Sequence, residues 1–227
     1  MSPPITAEEL ARARRVLMRR DPVLGAIIKR HGECGLRTDR AVDLYSALIQ
    51  AIVSQQLSTK AAATIHARFR ALLPGDGGPT PHAVLPLSDE TLRGVGLSRQ
   101  KIGYLRDLSQ KMIDGSLQPD ALPSLADDAV VDMLTQIKGI GRWTADMILI
   151  FRLLRPDILP VGDLGIVKAI QKAYGLRKPP DARRMLKIAE PWRPYRSVAS
   201  WYLWASLDNK PMARKRSGKK MKRGTEP

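Results

Sequence analysis

Cysteine is almost missing from this 227-residue chain, where Cys34 stands alone. A lone cysteine excludes an internal disulfide and any four-cysteine iron–sulfur or zinc centre. The three histidines, His31, His66 and His82, are scattered without ligand spacing, so the sequence offers no side-chain ligand set for a catalytic metal. No apolar run reaches the ~18 residues of a membrane span. The opening Met1-Ser2-Pro3-Pro4-Ile5-Thr6 lacks the apolar stretch of a secretory signal. Period-2 alternation of apolar residues is missing as well, which argues against β-structure.

Acidic residues are outnumbered: 22 Asp and Glu face 38 Lys and Arg, for a net charge of +16. Such an excess concentrates phosphates near the protein and is the usual footprint of nucleic-acid binding. Part of it is a tail. From Lys210 to Arg223 the chain carries Lys210, Arg214, Lys215, Arg216, Lys219, Lys220, Lys222 and Arg223 with no acid among them. Residues 209–227 read as a basic, disordered segment, either a grip on phosphates or a solubility device. The remainder is basic without it.

What is present is helical periodicity. Helices are expected over Glu8–Arg20, Val42–Val53, Thr59–Leu73, Asp89–Arg93, Arg99–Asp114, Leu125–Ile137, Arg142–Leu154, Gly165–Tyr174, Asp181–Glu190 and Arg196–Leu207. Asp21-Pro22 reads as the stop of the first, because proline disfavours a helical residue before it. Pro74 to Pro86 reads as a surface loop. Ser58 reads as an N-cap, and Ser124 to Asp127 has capping-box-like spacing.

The strongest local signal is Leu134-Thr135-Gln136-Ile137-Lys138-Gly139-Ile140-Gly141-Arg142-Trp143-Thr144-Ala145. Two helices flank a glycine-bearing turn. Glycine tolerates positive φ and puts no Cβ in the way of an approaching backbone. The first amides of the second helix can then donate to a phosphate oxygen, helped by the helix dipole. The same turn also serves simply to join two packed helices. Further on comes Pro160-Val161-Gly162-Asp163-Leu164-Gly165-Ile166. Here Asp163 is either a helix N-cap or a carboxylate held at the mouth of a cleft beside a phosphate-gripping hairpin.

This pairing resembles the helix-hairpin-helix-Gly/Pro-Asp superfamily of base-excision DNA glycosylases, most of all the 3-methyladenine DNA glycosylase II (AlkA and yeast-type) subgroup. The resemblance runs from about Leu44 to Leu207. It includes Ala51-Ile52-Val53-Ser54-Gln55-Gln56-Leu57-Ser58, the hairpin, the Pro-x-Gly-Asp loop, and Trp192-Arg193-Pro194-Tyr195-Arg196-Ser197 leading to Trp204. It implies an all-α, two-lobed fold; some relatives carry a further β-rich N-terminal domain, but the 53 residues before Ser54 read as helix here, so the short, all-helical form is expected. One lobe would be built from 1–40 plus 156–208, and a middle bundle, 41–155, would carry the helix-hairpin-helix at 127–154.

The resemblance also implies roles. Asp163 matches the catalytic aspartate, whose charge stabilises the positive sugar as the glycosidic bond breaks. Trp143 stands where strand-cleaving members have a Schiff-base lysine, which implies a monofunctional enzyme without lyase activity. Trp143, Met147 and Trp204 match the base pocket, where an electron-rich ring stacks on a cationic flipped base. Gln56 matches the wedge that fills the vacated stack. Gly139, Gly141 and Thr144 match the phosphate-holding amides. The carbonyls of Thr135, Ile137 and Ile140 match a site for Na⁺ or K⁺, the one cofactor implied. The implied partner is double-stranded DNA containing alkylated bases, bound by a monomer. Its expected place is the bacterial cytoplasm with the nucleoid, or the nucleus of a eukaryote. Two other readings remain at this point: a sister glycosylase for uracil, mismatched or oxidised bases, and a non-catalytic hairpin DNA-binding module in which Asp163 is only a cap.

Overall fold

The computed structural model describes residues 4–36, 43–75 and 78–207, so the start of the expected helix at Val42 and the basic tail lie outside the described residues. The helices are α1 (Ala7–Arg20), α2 (Pro22–His31), α3 (Leu44–Ser54), α4 (Thr59–Arg70), α5 (Pro81–Val84), α6 (Asp89–Gly94), α7 (Arg99–Ile113), α8 (Asp127–Thr135), α9 (Arg142–Phe151), α10 (Leu164–Ala173), α11 (Ala182–Ile188) and α12 (Arg196–Leu207). Short 3-10 turns stand at Pro119–Ser124 and Glu190–Trp192. The described residues contain no strand, as the missing alternation predicts.

Helix packing falls into two sets. Within one, α1, α2 and α10 gather on α12; within the other, α3 packs on α4 and α7, which also carries α5 and α6, while α8 and α9 form their own pair. A single apolar core runs through both sets, from Leu17 and Leu24 to Leu48, Ile102, Ile150 and Val198. Helix α3 illustrates the logic. Leu44, Tyr45, Leu48, Ile49, Ile52 and Val53 are buried along one wide face while Gln50 is exposed on the other. Burying each large aliphatic side chain contributes about 1.5–3 kcal/mol.

The first helix stops at Asp21-Pro22 as expected, but a second helix with no counterpart among the expected ones, α2, begins there at once, and two further local expectations are corrected. Asp21 ends α1 and caps α2, its carboxylate accepting the Leu24 amide at 3.0 Å, and Pro22 occupies the first turn where its missing N–H costs nothing. The Ser124–Asp127 segment forms no capping box: α8 starts after Ala126 without a side-chain cap. The box stands instead at Thr6 and Glu9, which exchange both bonds. The Pro74–Pro86 loop contains a helical turn, α5, capped by Thr80.

Candidate active site

The segment between α9 and α10 is fastened on both sides before it delivers Asp163. Arg155, 1% exposed, lies 3.3 Å from the Asp127 carboxylate and donates to the carbonyls of Pro123 and Leu125 at 2.9 and 2.8 Å. Asp157 takes a forked pair of bonds from Arg196, 2.7 and 3.0 Å. Ser197 donates to the Arg155 carbonyl and accepts the Ile158 amide. A turn then closes with the Asp163 amide on the Pro160 carbonyl at 3.0 Å.

Asp163 combines both roles that its position in the sequence allows. It is the N-cap of α10, with Oδ1 accepting the Ile166 amide at 2.8 Å. The same oxygen accepts the Trp204 indole N–H at 2.9 Å, and Oδ2 accepts the Trp143 indole N–H at 2.7 Å. The carboxylate is buried, 8% exposed. Gly165 makes room for this cluster. A Cβ there would stand 2.9 Å from Asp163 Oδ1 and 3.2 Å from Trp204 Cδ1, so the second glycine of the loop is required by close approach.

Trp143, Met147 and Phe151 follow one another at i, i+4 and i+8 along α9 and face a cavity of about 530 Å³, whose opposite wall is α3 with Ala47, Gln50 and Ser54. Trp143 is 50% exposed, unusual for an indole. It links the cavity to Asp163 through its ring nitrogen. Trp204 does not line the cavity; its ring packs on Phe151 at 5.5 Å, tilted by 31°. Phe151 is a site residue that sequence reasoning missed, although the four-residue spacing from Trp143 and Met147 marks it.

The hairpin lies at the start of α9. Gly139 adopts φ +83°, and a Cβ on it would fall 2.1 Å from the Tyr104 ring, so this turn is sealed by an aromatic lid. Gly141 makes no use of the positive φ that glycine tolerates. It is extended, at φ −99°, and serves as the N-cap of α9 with no side-chain cap and nothing within 4 Å of a notional Cβ. Backbone amides at an uncapped helix start that faces open space suit an anion. The Lys138 amide is engaged by Asp107 at 2.9 Å and the Ile140 amide by the Ile137 carbonyl at 3.0 Å. Thr144 is buried and lines the cavity.

Gln56 stands exposed on the turn between α3 and α4 with φ +56°, a left-handed backbone rare for a side chain of its size. Its neighbours hold it there. Gln55 donates to the Gly139 carbonyl at 2.7 Å, and Lys101 donates to the carbonyls of Val53 and Gln55 at 2.7 and 2.8 Å. Burial lowers the Lys101 ammonium from its ordinary value. Neither Lys101 nor Tyr104 carries a motif signal, since each acts by long-range packing. The turn and the hairpin are therefore one connected surface, with the cavity opening between them and Asp163 joined to it through Trp143.

Helices, hairpin and buried carboxylate define a base-excision DNA repair protein, and the chain belongs to the HhH-GPD superfamily, which it matches over residues 49–194. It is 38% identical over 161 residues to the DNA-3-methyladenine glycosylase 1 of Schizosaccharomyces pombe, spanning 70% of this chain and 71% of that one. Its structure matches that of the S. pombe 3-methyladenine DNA glycosylase Mag1 in complex with abasic DNA, with a TM-score of 0.76 and 33% identity over 89% of this chain and all of that one. It also matches the DNA-3-methyladenine glycosidase of Bacillus halodurans, with a TM-score of 0.77 and 35% identity over 87% and 89% of the two chains. No helix among the described residues is long and apolar enough to cross a membrane.

Proposed function

We propose that this protein is a monofunctional DNA glycosylase that hydrolyses the N-glycosidic bond of alkylated bases, 3-methyladenine foremost, in duplex DNA. The observation that carries this reading is the buried Asp163 carboxylate held by the indoles of Trp143 and Trp204 beside a cavity that Trp143 lines. The named activity of the relatives supports it.

In this reading the hairpin amides at Gly139, Gly141 and Thr144 take the DNA backbone, and Gln56 fills the space left by the flipped nucleotide. The base enters the cavity and stacks on Trp143, where a cationic base gains up to ~2 kcal/mol once desolvated. The C1′–N bond then breaks, its electron pair leaving with the base, while a water oxygen bonds to C1′ and its proton passes to solvent. An alkylated purine already carries positive charge and leaves without a strong general acid. Asp163 supplies a fixed negative charge against the developing sugar cation. Three N–H donors occupy its oxygens, out of about four lone-pair directions on a carboxylate, so one direction remains for the attacking water.

Where α8 ends and α9 begins, carbonyls at a helix C-terminus adjoin amides at an N-terminus. The Thr135 hydroxyl turns back onto the Val131 carbonyl at 2.8 Å, which leaves backbone oxygens as the donor set. The Thr135 and Ile137 carbonyls stand at the negative end of α8, which fits a monovalent cation, so together with the Ile140 carbonyl in the turn before α9 they would hold a Na⁺ or K⁺, adding positive charge for a phosphate.

Methylated duplex DNA tests the reading. The protein should release methylated purines and leave an intact abasic strand, and borohydride should trap no covalent protein–DNA complex, because Trp143 has no amine. A trapped complex contradicts the monofunctional assignment; DNA binding without base release contradicts the catalytic one.

A further inference from the structure

The candidate base cavity is larger than its proposed cargo and ends in a cation. Its volume of about 530 Å³ lies in the range of pockets that enclose drug-sized ligands. It runs along α9 from Trp143, in the first turn, to Arg152, which terminates the helix. Nine residues of helical rise separate the two, ~14 Å. Arg152 is the one charged side chain on the lining, among alanines, aromatics, glutamines and small polar groups.

A positive charge there is at odds with a pocket serving only cationic methylated bases. The far end also opens further. A second cavity of about 170 Å³ shares Ala47, Gln50 and Arg152 with the first and adds His66, Arg70 and Asp43. Asp43 is committed to capping α3, with its carboxylate on the amide and hydroxyl of Ser46. Burial, followed by the charge of Arg70, lowers His66 from its ordinary value, so at neutral pH it stands as an uncharged imidazole. Among the described residues no carboxylate pairs with Arg152, which leaves this junction with an uncommitted cation inside a protein wall.

We propose that this end of the cavity takes the negatively charged tail of a larger lesion, a carboxyalkylated purine, with the Arg152 guanidinium as counter-ion to its carboxylate. N-carboxymethyl purines are such bases. The alkylated ring is cationic and stacks on Trp143 near Asp163, while the carboxylate projects away from the ring toward Arg152. The zwitterion thus meets an anion at one end of the site and a cation at the other. The reaction is unchanged, since water displaces the base at C1′. A guanidinium bonds a carboxylate with two parallel N–H donors, which a lysine ammonium cannot reproduce.

The inference rests on the glycosylase reading, and its test separates the two. Duplex DNA alkylated with diazoacetate and with a methylating agent supplies carboxymethyl and methyl purines, and the released bases are measured by mass spectrometry. The wild type should release both, and should release the uncharged carbamoylmethyl analogue at least tenfold more slowly than the carboxymethyl base. Arg152→Gln should lower the ratio of carboxymethyl to methyl release at least tenfold, and Arg152→Lys should lower it less. Release of methyl but not carboxymethyl purines, or a ratio unmoved by Arg152→Gln, overturns the inference and leaves the glycosylase standing. Release of neither base overturns the glycosylase reading itself.

Discussion

At the scale of single residues, two glycines make the close approaches of this site possible. Gly165 lets Trp204 reach the carboxylate, and Gly139 lets Tyr104 close over the hairpin. Placing a side chain in the left-handed region costs roughly 1–2 kcal/mol, and overpacking typically adds ~1–3 kcal/mol. Gly139→Ala should therefore lower the melting temperature by several degrees and weaken DNA binding. Adding Tyr104→Ala to that variant should recover the share due to the ring. A double variant no more stable than Gly139→Ala would show that the ring contact is not what excludes a Cβ. The motif spacing made Gly139 legible in the sequence, but the ring above it was not, because Tyr104 comes from a helix 35 positions upstream. Gly141 leaves its backbone open, as read, but at an extended φ of −99° it does not use the positive φ that glycine tolerates.

At the scale of elements, the unit is helix, turn, helix: α3, the turn at Gln55 and Gln56, and α4. The left-handed backbone at Gln56 is sustained by Gln55 on the hairpin and Lys101 on the turn carbonyls, an arrangement in which strain at a functional site is held by its surroundings. Such a turn aims one side chain outward. Gln56→Ala should slow base release most from fully paired duplex, where the vacated stack needs filling, and least from mismatched or single-stranded substrate, where the base flips at lower cost. Equal losses on the two substrates would remove Gln56 from the DNA. Periodicity revealed most helices to within a few residues, since each buries one stripe. It failed where one residue serves two elements. Asp21 ends α1 and begins α2, and its other oxygen also accepts bonds from Tyr174 and Trp192, far along the chain. No local pattern encodes that corner.

At the scale of the molecule, the two sets of helices meet where α9 reaches α10 and α12 through the Asp163 cluster, next to the cavity that α9 and α3 enclose. The order of motifs in the sequence contained this convergence, because hairpin, carboxylate loop and last helix succeed one another within one family pattern. The depth of the cavity and the arginine at its end were not legible, since they depend on how α3 lies against α9. The strong positive charge predicts attraction to any DNA, so binding alone does not distinguish a glycosylase from a hairpin module. Catalysis does. The decisive measurement is the single-turnover rate of methylated-purine release by Asp163→Asn and by the wild type, with DNA affinity and melting temperature taken on the same samples. Asparagine keeps one acceptor oxygen but turns an amide toward an indole N–H, so a stability loss of about 1–2 kcal/mol is expected. Removing the charge should lower the rate by ~10²–10³ or more while duplex affinity changes little. A rate within threefold of the wild type, alongside the same loss of stability, would make Asp163 a helix cap and contradict its role in catalysis.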